Sequence, residues 1–355
     1  MSAVLRRIWS LAIKDWRLLV RNYYVATILV VAALYIAATL FLIPAELDTT
    51  QAIVLWDQTD GGVVKAFYQA GAGAGGLTVV DSAADYAAAL EEGYSRIGIR
   101  ASGGAVPERF EITFQGWENE QTRNLLTASL QAQAAALRGE GEGYPRFATR
   151  SLNPGTAAPA PPYNQSMVPF WVYTEAGMVG LLLGATLLFA EKDERSLRAI
   201  RTTPASMGEY LLARVLAMFL LGMLFTAVVT VLILGPSVNW LAIVPVVFLG
   251  SAVITLAMMV VANLFSSLGQ FIFAGILLMT ALGLPGLAYL MPSFSPPLLR
   301  LLPTYPLIFG LREAYFPTGA PGIVWGAIGQ LAITLAVVLP FAVLTFRRQL
   351  IVRDV

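Results

Sequence analysis

The chain has 355 residues, of which 57% are hydrophobic and 13% are charged, with a formal net charge of +1. A composition this apolar excludes an ordinary soluble domain and indicates an integral membrane protein, and the small net charge gives no basic field that would attract nucleic acid. The sequence contains neither cysteine nor histidine, which excludes disulfides, thiol nucleophiles, imidazole bases and the common zinc sites. We expect no metal, no cofactor and no intrinsic catalysis, although a hydrolase built on a Ser/Lys or carboxylate pair remains an alternative.

Residues 1–22 are predicted to form an amphipathic helix that lies in the cytoplasmic interface of the membrane. One face of this helix collects apolar side chains, namely Leu5, Ile8, Trp9, Ala12, Trp16 and Leu19. The opposite face collects cations, namely Arg6, Arg7, Lys14, Arg17 and Arg21. Tryptophan at the headgroup level and cations turned toward anionic membrane lipids are typical of interfacial helices. The helix either fixes the topology alone or also docks a cytoplasmic partner.

Six stretches are long and apolar enough to cross a hydrocarbon core about 30 Å thick, which requires about 20 helical residues. They are 23–43, 167–190, 215–235, 241–265, 271–291 and 323–346. The first transmembrane helix, at 23–44 with its closing proline, is too long for the apolar region of a cleavable signal peptide, so we expect an uncleaved anchor. Helices two to six fall within 167–346, and Pro285 and Pro340 are expected to kink the last two. The predicted fold class is an α-helical integral membrane protein with six transmembrane helices.

The placement of lysine and arginine predicts the orientation. Five of these residues precede the first span, five lie in 192–214 and three lie in 347–355, whereas the turn at 235–240 has none. We therefore predict that both termini are cytoplasmic and that 347–355 is a cytoplasmic tail. The expected location is the plasma or inner membrane of a prokaryote.

That topology places residues 45–166 outside the membrane, as an extracytoplasmic insert of domain size between the first and second spans. Strands are predicted at 51–56, 77–80, 96–100 and 109–114, and helices at 61–70, 82–92 and 118–138. The mixed pattern indicates a small α/β domain, which a Pro/Gly-rich linker at 139–166 joins to the membrane. The stretch GAGAGG at 71–76 is not a phosphate-binding loop, because GxxxxGK followed by Ser or Thr is missing, and we interpret it as a flexible loop.

Polar and small residues of the second span are candidates for function. Glu175 lies about two turns from the predicted outer end, and a carboxylate in a membrane is costly enough to mark a lateral opening or a translocation path. The alternative is that it snorkels outward or caps a shallow span start near Tyr173. Gly180 and Gly184 form a small-xxx-small face for helix packing or a subunit contact. Further along, 292–321 is predicted to be an outer re-entrant segment of short helices, or else a passive loop.

The segment EKDERSLRAIRTTP at 191–204 is the one dense run of charge between two apolar spans. Glu191 precedes Arg195, and Glu194 precedes Arg198, at the i,i+4 spacing that supports a helix. We predict a short cytoplasmic coupling helix here. Because both of its ends are tied to transmembrane helices, force applied to it would move two spans together.

Pro204 is expected to end this helix, and the next helix begins with Ser206 as N-cap and Glu209 as capping-box partner. The run EKDERSLRAIRTTPASMGEYLLARVL resembles the cytoplasmic motif of type 2 ABC exporter permeases, approximately EKExGTLExLxxTPxxxxEyLxxK. The sequence departs from it at Arg195 and Arg198, where Gly and Glu are common, and has conservative replacements at Asp193 and Ser196. The matching residues are Glu191, Lys192, Leu197, Thr203, Pro204, Glu209, Tyr210 and Leu211.

The resemblance implies the membrane permease subunit of an ATP-driven ABC exporter, with ATP and Mg²⁺ bound by a separate cytoplasmic ATPase in two copies. It also implies a second permease, in a homodimer or a heterodimer. The architecture is similar to the subgroup with a large extracytoplasmic insert, which includes drug and antibiotic efflux permeases of the fluoroquinolone type, so a hydrophobic or amphipathic solute is expected. ATPase coupling is expected from Glu191, Lys192, Asp193, Glu194, Arg195, Leu197, Arg198, Arg201, Thr203 and Pro204.

Two alternatives remain at this point. An exporter of a lipid or polysaccharide conjugate is the nearer one. A membrane sensor with an extracytoplasmic ligand-binding domain is the more distant one, because the cytoplasmic segments are too short to form an output domain.

Overall fold

The structure is a computed structural model, which describes residues 3–45, 53–60, 62, 64–65, 77–91, 97–104, 107–114, 161–194, 204–291, 294, 296–318 and 322–352, with six further positions between 123 and 135. The chain divides into two compact units, one formed by Met1–Glu46 with Leu152–Val355 and the other by Leu47–Ser151. The described parts of the first unit are mainly helical, and the second unit contains a β-sheet.

The first unit begins with helix α1 (Ala3–Arg21), as the amphipathic pattern predicts. Its buried side chains are Ala12, Asp15 and Leu19. Their spacing of three and four residues puts them on one helix face. This face packs against a later helix of the same unit, so α1 belongs to the folded helical unit.

A sharp elbow follows α1. Tyr23 has φ 60°, in the left-handed region, and helix α2 (Tyr24–Ala37) begins directly after it. A non-glycine residue in this region costs on the order of 1 kcal/mol, so the packing of the two flanking helices must hold the turn. The end of α2 widens into a π-helical turn at Ala38–Leu42.

The second unit contains a four-stranded sheet of order β2-β1-β3-β4. The strands are β1 (Ile53–Thr59), β2 (Leu77–Val80), β3 (Ile97–Gly103) and β4 (Pro107–Thr113), and helix α3 (Ala83–Glu91) follows β2 in sequence. β1 is parallel to both β2 and β3, and β4 is antiparallel to β3.

Apolar side chains are buried on both faces of this sheet. Leu55 and Ile99 belong to one buried cluster, and Val54 and Val80 belong to another together with Ala89 of α3. The structure thus contains a strand at each of the four predicted places and a helix at the place predicted as 82–92. The helices predicted at 61–70 and 118–138, the GAGAGG loop and the linker up to residue 160 lie mostly or wholly outside the described residues.

The first unit continues with α4 (Tyr163–Asp193), α5 (Met207–Ile233), α6 (Trp240–Asn263), α7 (Leu268–Leu290), the short α8 (Thr304–Tyr315) and α9 (Gly322–Val352). Six helices of the described residues are long and apolar enough to cross a membrane, which confirms the predicted number of spans. They are Tyr24–Leu42, Tyr163–Asp193, Met207–Ile233, Trp240–Asn263, Leu268–Leu290 and Gly322–Arg348.

Two boundaries differ from the sequence-based prediction. α4 begins at Tyr163, although the linker was expected to run to 166. Pro162 occupies the N-cap position, and proline is compatible with the start of a helix. The proline-rich composition of the linker therefore does not show where the linker ends and the helix begins. α9 continues through Val352, so helix extends into the segment predicted as a tail. Within 292–321 the chain forms α8 and a 3-10 turn at Pro297–Leu301, in keeping with the expected short helices.

The helices of the first unit share one apolar core, and the contact between α4 and α5 in it depends on a glycine. A Cβ placed on Gly222 of α5 would lie 2.8 Å from the backbone oxygen of Ala176 in α4 and 3.0 Å from its Cα. Real Cβ atoms do not approach a backbone so closely. The two helices can therefore meet at this level only because residue 222 has no side chain.

We expect Gly222→Ala to destabilise the purified protein by about 1–3 kcal/mol, because the added methyl group overpacks the α4–α5 contact. The matched control is Gly283→Ala in α7, where an added Cβ meets nothing within 4 Å. Thermal unfolding in detergent should show a lower midpoint for the first variant and an unchanged or slightly higher midpoint for the control. Equal midpoints would contradict the packing assignment.

Candidate functional site

The start of α5 is fixed by a capping box, as the sequence predicts. Ser206 Oγ accepts a hydrogen bond from the Glu209 amide at 3.2 Å, and Glu209 Oε2 accepts one from the Ser206 amide at 2.8 Å. The same carboxylate also accepts from Arg7 of α1, whose Nη2 lies 2.6 Å from Glu209 Oε1. The residue that caps α5 therefore also joins α5 to α1.

One turn further along α5, Tyr210 and Arg214 face the end of α4. The Tyr210 hydroxyl donates to Glu191 Oε2 at 2.5 Å, and Arg214 Nη2 donates to the same oxygen at 2.7 Å. Arg214 Nη2 also lies 3.1 Å from the Tyr210 hydroxyl oxygen, which accepts from it. Spacing of four residues places both α5 side chains over the same turn of α4.

Helix α1 supplies the other half of this arrangement. Lys14 Nζ lies 2.8 Å from Glu191 Oε1, and Asp15 Oδ2 lies 3.3 Å from Arg214 Nε. We call Lys14, Asp15, Glu191, Tyr210 and Arg214 the buried charge cluster. Three helices, α1, α4 and α5, contribute to it.

The cluster combines strong burial with balanced charge. Arg214 is 0% exposed, and Asp15 and Glu191 are each 3% exposed. Two cations and two carboxylates cancel formally, which limits the penalty for removing them from water. Burial still raises the pKa of Asp15, although the Arg214 guanidinium opposes that rise. Loss of Arg214, the fully buried cation of the cluster, would leave two carboxylates buried without it.

Lys192 adds a fourth helix to this end of the unit. Its Nζ donates to the carbonyl oxygens of Ala262 at 3.2 Å and Phe265 at 2.8 Å, at the C-terminal end of α6. Carbonyls at a helix C-terminus carry partial negative charge, so an ammonium group is a favourable cap. The end of α4 is thereby attached to α1, α5 and α6.

The predicted coupling residues fall into three groups. Glu191 is buried in the cluster and Lys192 is half-buried, so their charged groups are turned toward the protein. Asp193, Glu194 and Pro204 are exposed. The remaining predicted residues lie outside the described part of the chain, namely Arg195, Leu197, Arg198, Arg201 and Thr203.

The residues predicted for the interfacial helix also differ in their surroundings: some are exposed, and others contact the protein. Trp9, Arg17 and Arg21 are exposed, and Trp16 packs partly against the core. The expectation that all cations of α1 turn toward lipid is wrong for two of them, because Lys14 pairs with Glu191 and Arg7 pairs with Glu209. Acidic partners elsewhere in the chain are a stronger attraction than a lipid surface at that position.

Sequence reasoning missed two members of the cluster, Asp15 and Arg214. Asp15 stands on the face of α1 that also carries Ala12 and Leu19, and an acid on a buried face is a signal for a buried partner. Arg214 is the last charged residue before a long charge-free stretch of the sequence. The i,i+4 pair that it makes with Tyr210 would have been a second signal.

Glu175 lies further from the start of its helix than the sequence suggests. Because α4 starts at Tyr163, Glu175 is 12 residues or about 18 Å from that end along the helix axis. It lies in a π-helical turn at Tyr173–Gly177, and its Oε1 accepts a hydrogen bond from Tyr35 of α2 at 3.0 Å. Glu175 is therefore inside α4 and does not cap the start of that helix.

Only one of the two predicted packing glycines can be placed. A Cβ on Gly184 would lie 3.6 Å from Thr255 of α6, an ordinary contact distance, so Gly184 faces a neighbouring helix of the same chain. The surroundings of Gly180 are outside the described residues. Whether either glycine serves a subunit contact stays a prediction.

Comparison with protein families gives a match over most of the helical unit. Residues 111–344 match the family model described as "ABC-2 family transporter protein". The matched region includes the whole of α4 and α5, and so includes Glu191, Tyr210 and Arg214, whereas α1 precedes it. A comparison with curated proteins found no match.

We expect Arg214→Gln to destabilise the purified chain by about 3–5 kcal/mol, because Asp15 and Glu191 would remain buried without the guanidinium. The matched control is Arg348→Gln, which removes an exposed arginine and should change stability by no more than about 0.5 kcal/mol. Thermal unfolding of both variants provides the measurement.

A triple variant separates charge balance from packing. Adding Asp15→Asn and Glu191→Gln to Arg214→Gln removes the unpaired charges, so a large part of the lost stability should return. If the triple variant is as unstable as the single one, shape and not charge compensation holds the three helices together.

Proposed function

The chain belongs to the ABC-2 transporter family, and from that premise we propose that it exports a hydrophobic or amphipathic solute from the cytoplasm or the inner leaflet. Membership makes it a multi-pass membrane protein and a permease subunit of an ABC transporter, and implies an ABC ATPase as partner. The sequence has no GxxxxGK motif followed by Ser or Thr, so ATP and Mg²⁺ are assigned to that partner.

The buried charge cluster is the observation that carries the proposal. The connector between α4 and α5 has cluster residues at both ends, Glu191 before it and Tyr210 with Arg214 after it. Motion of this connector would therefore reach α1, α4 and α5 through short polar contacts, and α6 through Lys192. In the proposed cycle, ATP-driven closure of two ATPase subunits pushes on the connector and shifts these helices together.

Docking and transmission are assigned to different residues. Asp193 and Glu194 are exposed, and with Arg195, Arg198 and Arg201 of the connector they are proposed to contact the ATPase. Glu191 is buried, so it is proposed to transmit the motion. Charge reversal at Glu191 would disrupt the cluster itself, and it is therefore unsuitable as a test of docking.

A groove beside the connector supports a docking role for α1 as well. It has a volume of about 260 Å³ and is lined by Arg6, Arg7, Ser10, Leu11, Pro204 and Ala205. The groove therefore combines the exposed side of α1 with the end of the connector. An ATPase surface that contacts the connector would lie next to α1.

The sequence supports a proposed subgroup, subunit composition and membrane for this permease. The insert at 45–166, with the sheet of four strands, supports the subgroup with a large extracytoplasmic domain, similar to drug and antibiotic efflux permeases. The proposed complex contains two ATPase copies and a second permease, as homodimer or heterodimer, in a prokaryotic plasma or inner membrane. If the reconstituted protein transports a lipid or polysaccharide conjugate instead, the proposed substrate class is wrong.

We expect Lys14→Met to weaken coupling without unfolding the chain, because Arg214 and Tyr210 still satisfy Glu191. Changes along a coupling path are worth about 0.5–2 kcal/mol, or roughly 2- to 30-fold. The measurement is ATP hydrolysis and solute export by the chain reconstituted with its ATPase. ATPase binding should stay unchanged while ATP-driven export falls.

Arg17→Met is the matched control for this experiment. Arg17 lies on the same helix, is exposed, and forms no ion pair with any residue that the structure describes. Its loss should leave export within about twofold of the parent protein, the lower bound of the coupling effects above. Equal loss of export in both variants would mean that α1 acts through general membrane attachment, and the transmission role of the cluster would be rejected.

The proposed orientation can be tested on the natural background, because the sequence contains no cysteine. We expect a membrane-impermeant maleimide to label Ser237→Cys in intact cells and Glu194→Cys only after permeabilisation. Both positions are exposed, so accessibility to the reagent depends on the side of the membrane. The reverse pattern would overturn cytoplasmic placement of the connector.

A further inference from the structure

The second span carries a carboxylate, Glu175, about 24 Å from Glu191 along the helix axis. Glu175 is half-buried, and among the residues that the structure describes no lysine or arginine forms an ion pair with it. Among those residues, its hydrogen-bond partner is the Tyr35 hydroxyl, at 3.0 Å. Ionisable groups inside a membrane normally pair with one another or line a pathway. The described residues therefore leave Glu175 without a positive partner.

Aromatic rings pack around Tyr35, the residue that donates to this carboxylate. Tyr35 stacks on Trp171 with ring centroids 4.4 Å apart and planes at 20°, and Phe225 meets Tyr35 edge-on at 6.0 Å. Phe170 packs against Trp171 at 5.4 Å. The faces of such rings attract cations, and desolvation strengthens this attraction. An aromatic wall beside a carboxylate is the chemistry that recognises an organic ammonium or phosphonium group.

The local backbone is shaped to hold these groups. π-Helical turns occur in both helices, at Ala38–Leu42 in α2 and at Tyr173–Gly177 in α4. Trp171, two residues before the turn in α4, donates through Nε1 to Thr39 Oγ1 in the other turn at 3.0 Å. π-Helical turns are rare and occur frequently at functional sites. Two of them at one helix contact fix the position of the carboxylate relative to the rings.

The ligand set argues against an inorganic ion. Ca²⁺ and Mg²⁺ need about six oxygen ligands, and the polar groups here are one carboxylate and a few hydroxyls. No group of three acidic, histidine or cysteine residues suited to a metal occurs in the described residues. An apolar monovalent cation needs only one negative charge and an apolar surface.

We infer that Glu175, Tyr35 and Trp171 form a membrane-embedded site for the charged group of a lipophilic monovalent organic cation. Glu175 supplies the charge, Tyr35 orients the carboxylate, and the ring of Trp171 covers the cation. This inference rests on the proposed export function and narrows its substrate class. The apolar part of such a molecule would lie along exposed aliphatic side chains of α2, such as Leu34.

Two ions of nearly equal shape and opposite charge provide the test. We would measure binding of tetraphenylphosphonium and tetraphenylborate to the purified full chain, without ATPase, in an uncharged detergent by titration calorimetry. The wild type should bind the cation at least about tenfold more tightly than the anion, which corresponds to about 1.4 kcal/mol. Glu175→Gln should remove that preference, and Trp171→Leu should weaken cation binding several-fold.

Glu91→Gln is the charge-matched control, because Glu91 is exposed at the end of α3 in the other unit. It should retain the full preference for the cation. A wild-type protein that binds both ions equally would overturn the inference without any variant, so poor folding of Glu175→Gln cannot hide the answer. If the preference for the cation survives in well-folded Glu175→Gln, the inference is overturned as well.

Failure of the cation site and failure of the proposed export function give different experimental results. Binding is measured without the ATPase, whereas the coupling role of Lys14 is measured with it. Loss of the cation preference with intact ATP-driven export would reject this site and keep the exporter assignment. Cation binding without any ATPase coupling would do the reverse.

Discussion

The arrangement of helix ends in this protein depends on the carboxylate of Glu191. It is 3% exposed, and its two oxygens are contacted by Lys14 from α1 and by Tyr210 and Arg214 from α5. A buried carboxylate is tolerated only when donors surround it. Separating any of the three helices would expose one side of this arrangement or leave it unpaired. The ends of α1, α4 and α5 are therefore constrained to move together.

The proposed mechanical role of the connector between α4 and α5 depends on this constraint. On its N-terminal side, Lys192 caps α6, and on its C-terminal side Glu209 closes the capping box and holds Arg7. Each end of the connector is thus fixed by charged hydrogen bonds to a different helix. A short segment with fixed ends transmits displacement better than one attached to spans by apolar contacts alone, because polar contacts have direction.

Local patterns of the sequence predicted a large part of the fold. The six spans, the strands of the insert and the capping box at Ser206 and Glu209 all follow from composition or spacing within one element. Ion pairs between residues far apart in the sequence could not be predicted from such local patterns. Lys14 and Glu191 are separated by 177 positions, and Arg7 and Glu209 by 202. An amphipathic pattern shows that the cations of α1 share a face, but not whether lipid or protein neutralises them. The pairing of Tyr35 with Glu175 was hidden for the same reason, because an isolated tyrosine in a span carries no periodic signal.

The two polar sites are connected through helices α1, α2 and α4. α4 carries both Glu175 and Glu191, 16 residues or about 24 Å apart along its axis. Glu191 binds Lys14 of α1, and Glu175 binds Tyr35 of α2, while α1 and α2 are joined directly at the Tyr23 elbow. α4 is therefore held at two depths by one continuous stretch of chain that bends at a left-handed residue. A displacement that α4 shares with α1 is either passed on to α2 or absorbed at that elbow. In the second case α2 does not follow α4, which alters the contact between Tyr35 and Glu175. This gives the proposed cation site a direct physical route by which the connector could change its affinity.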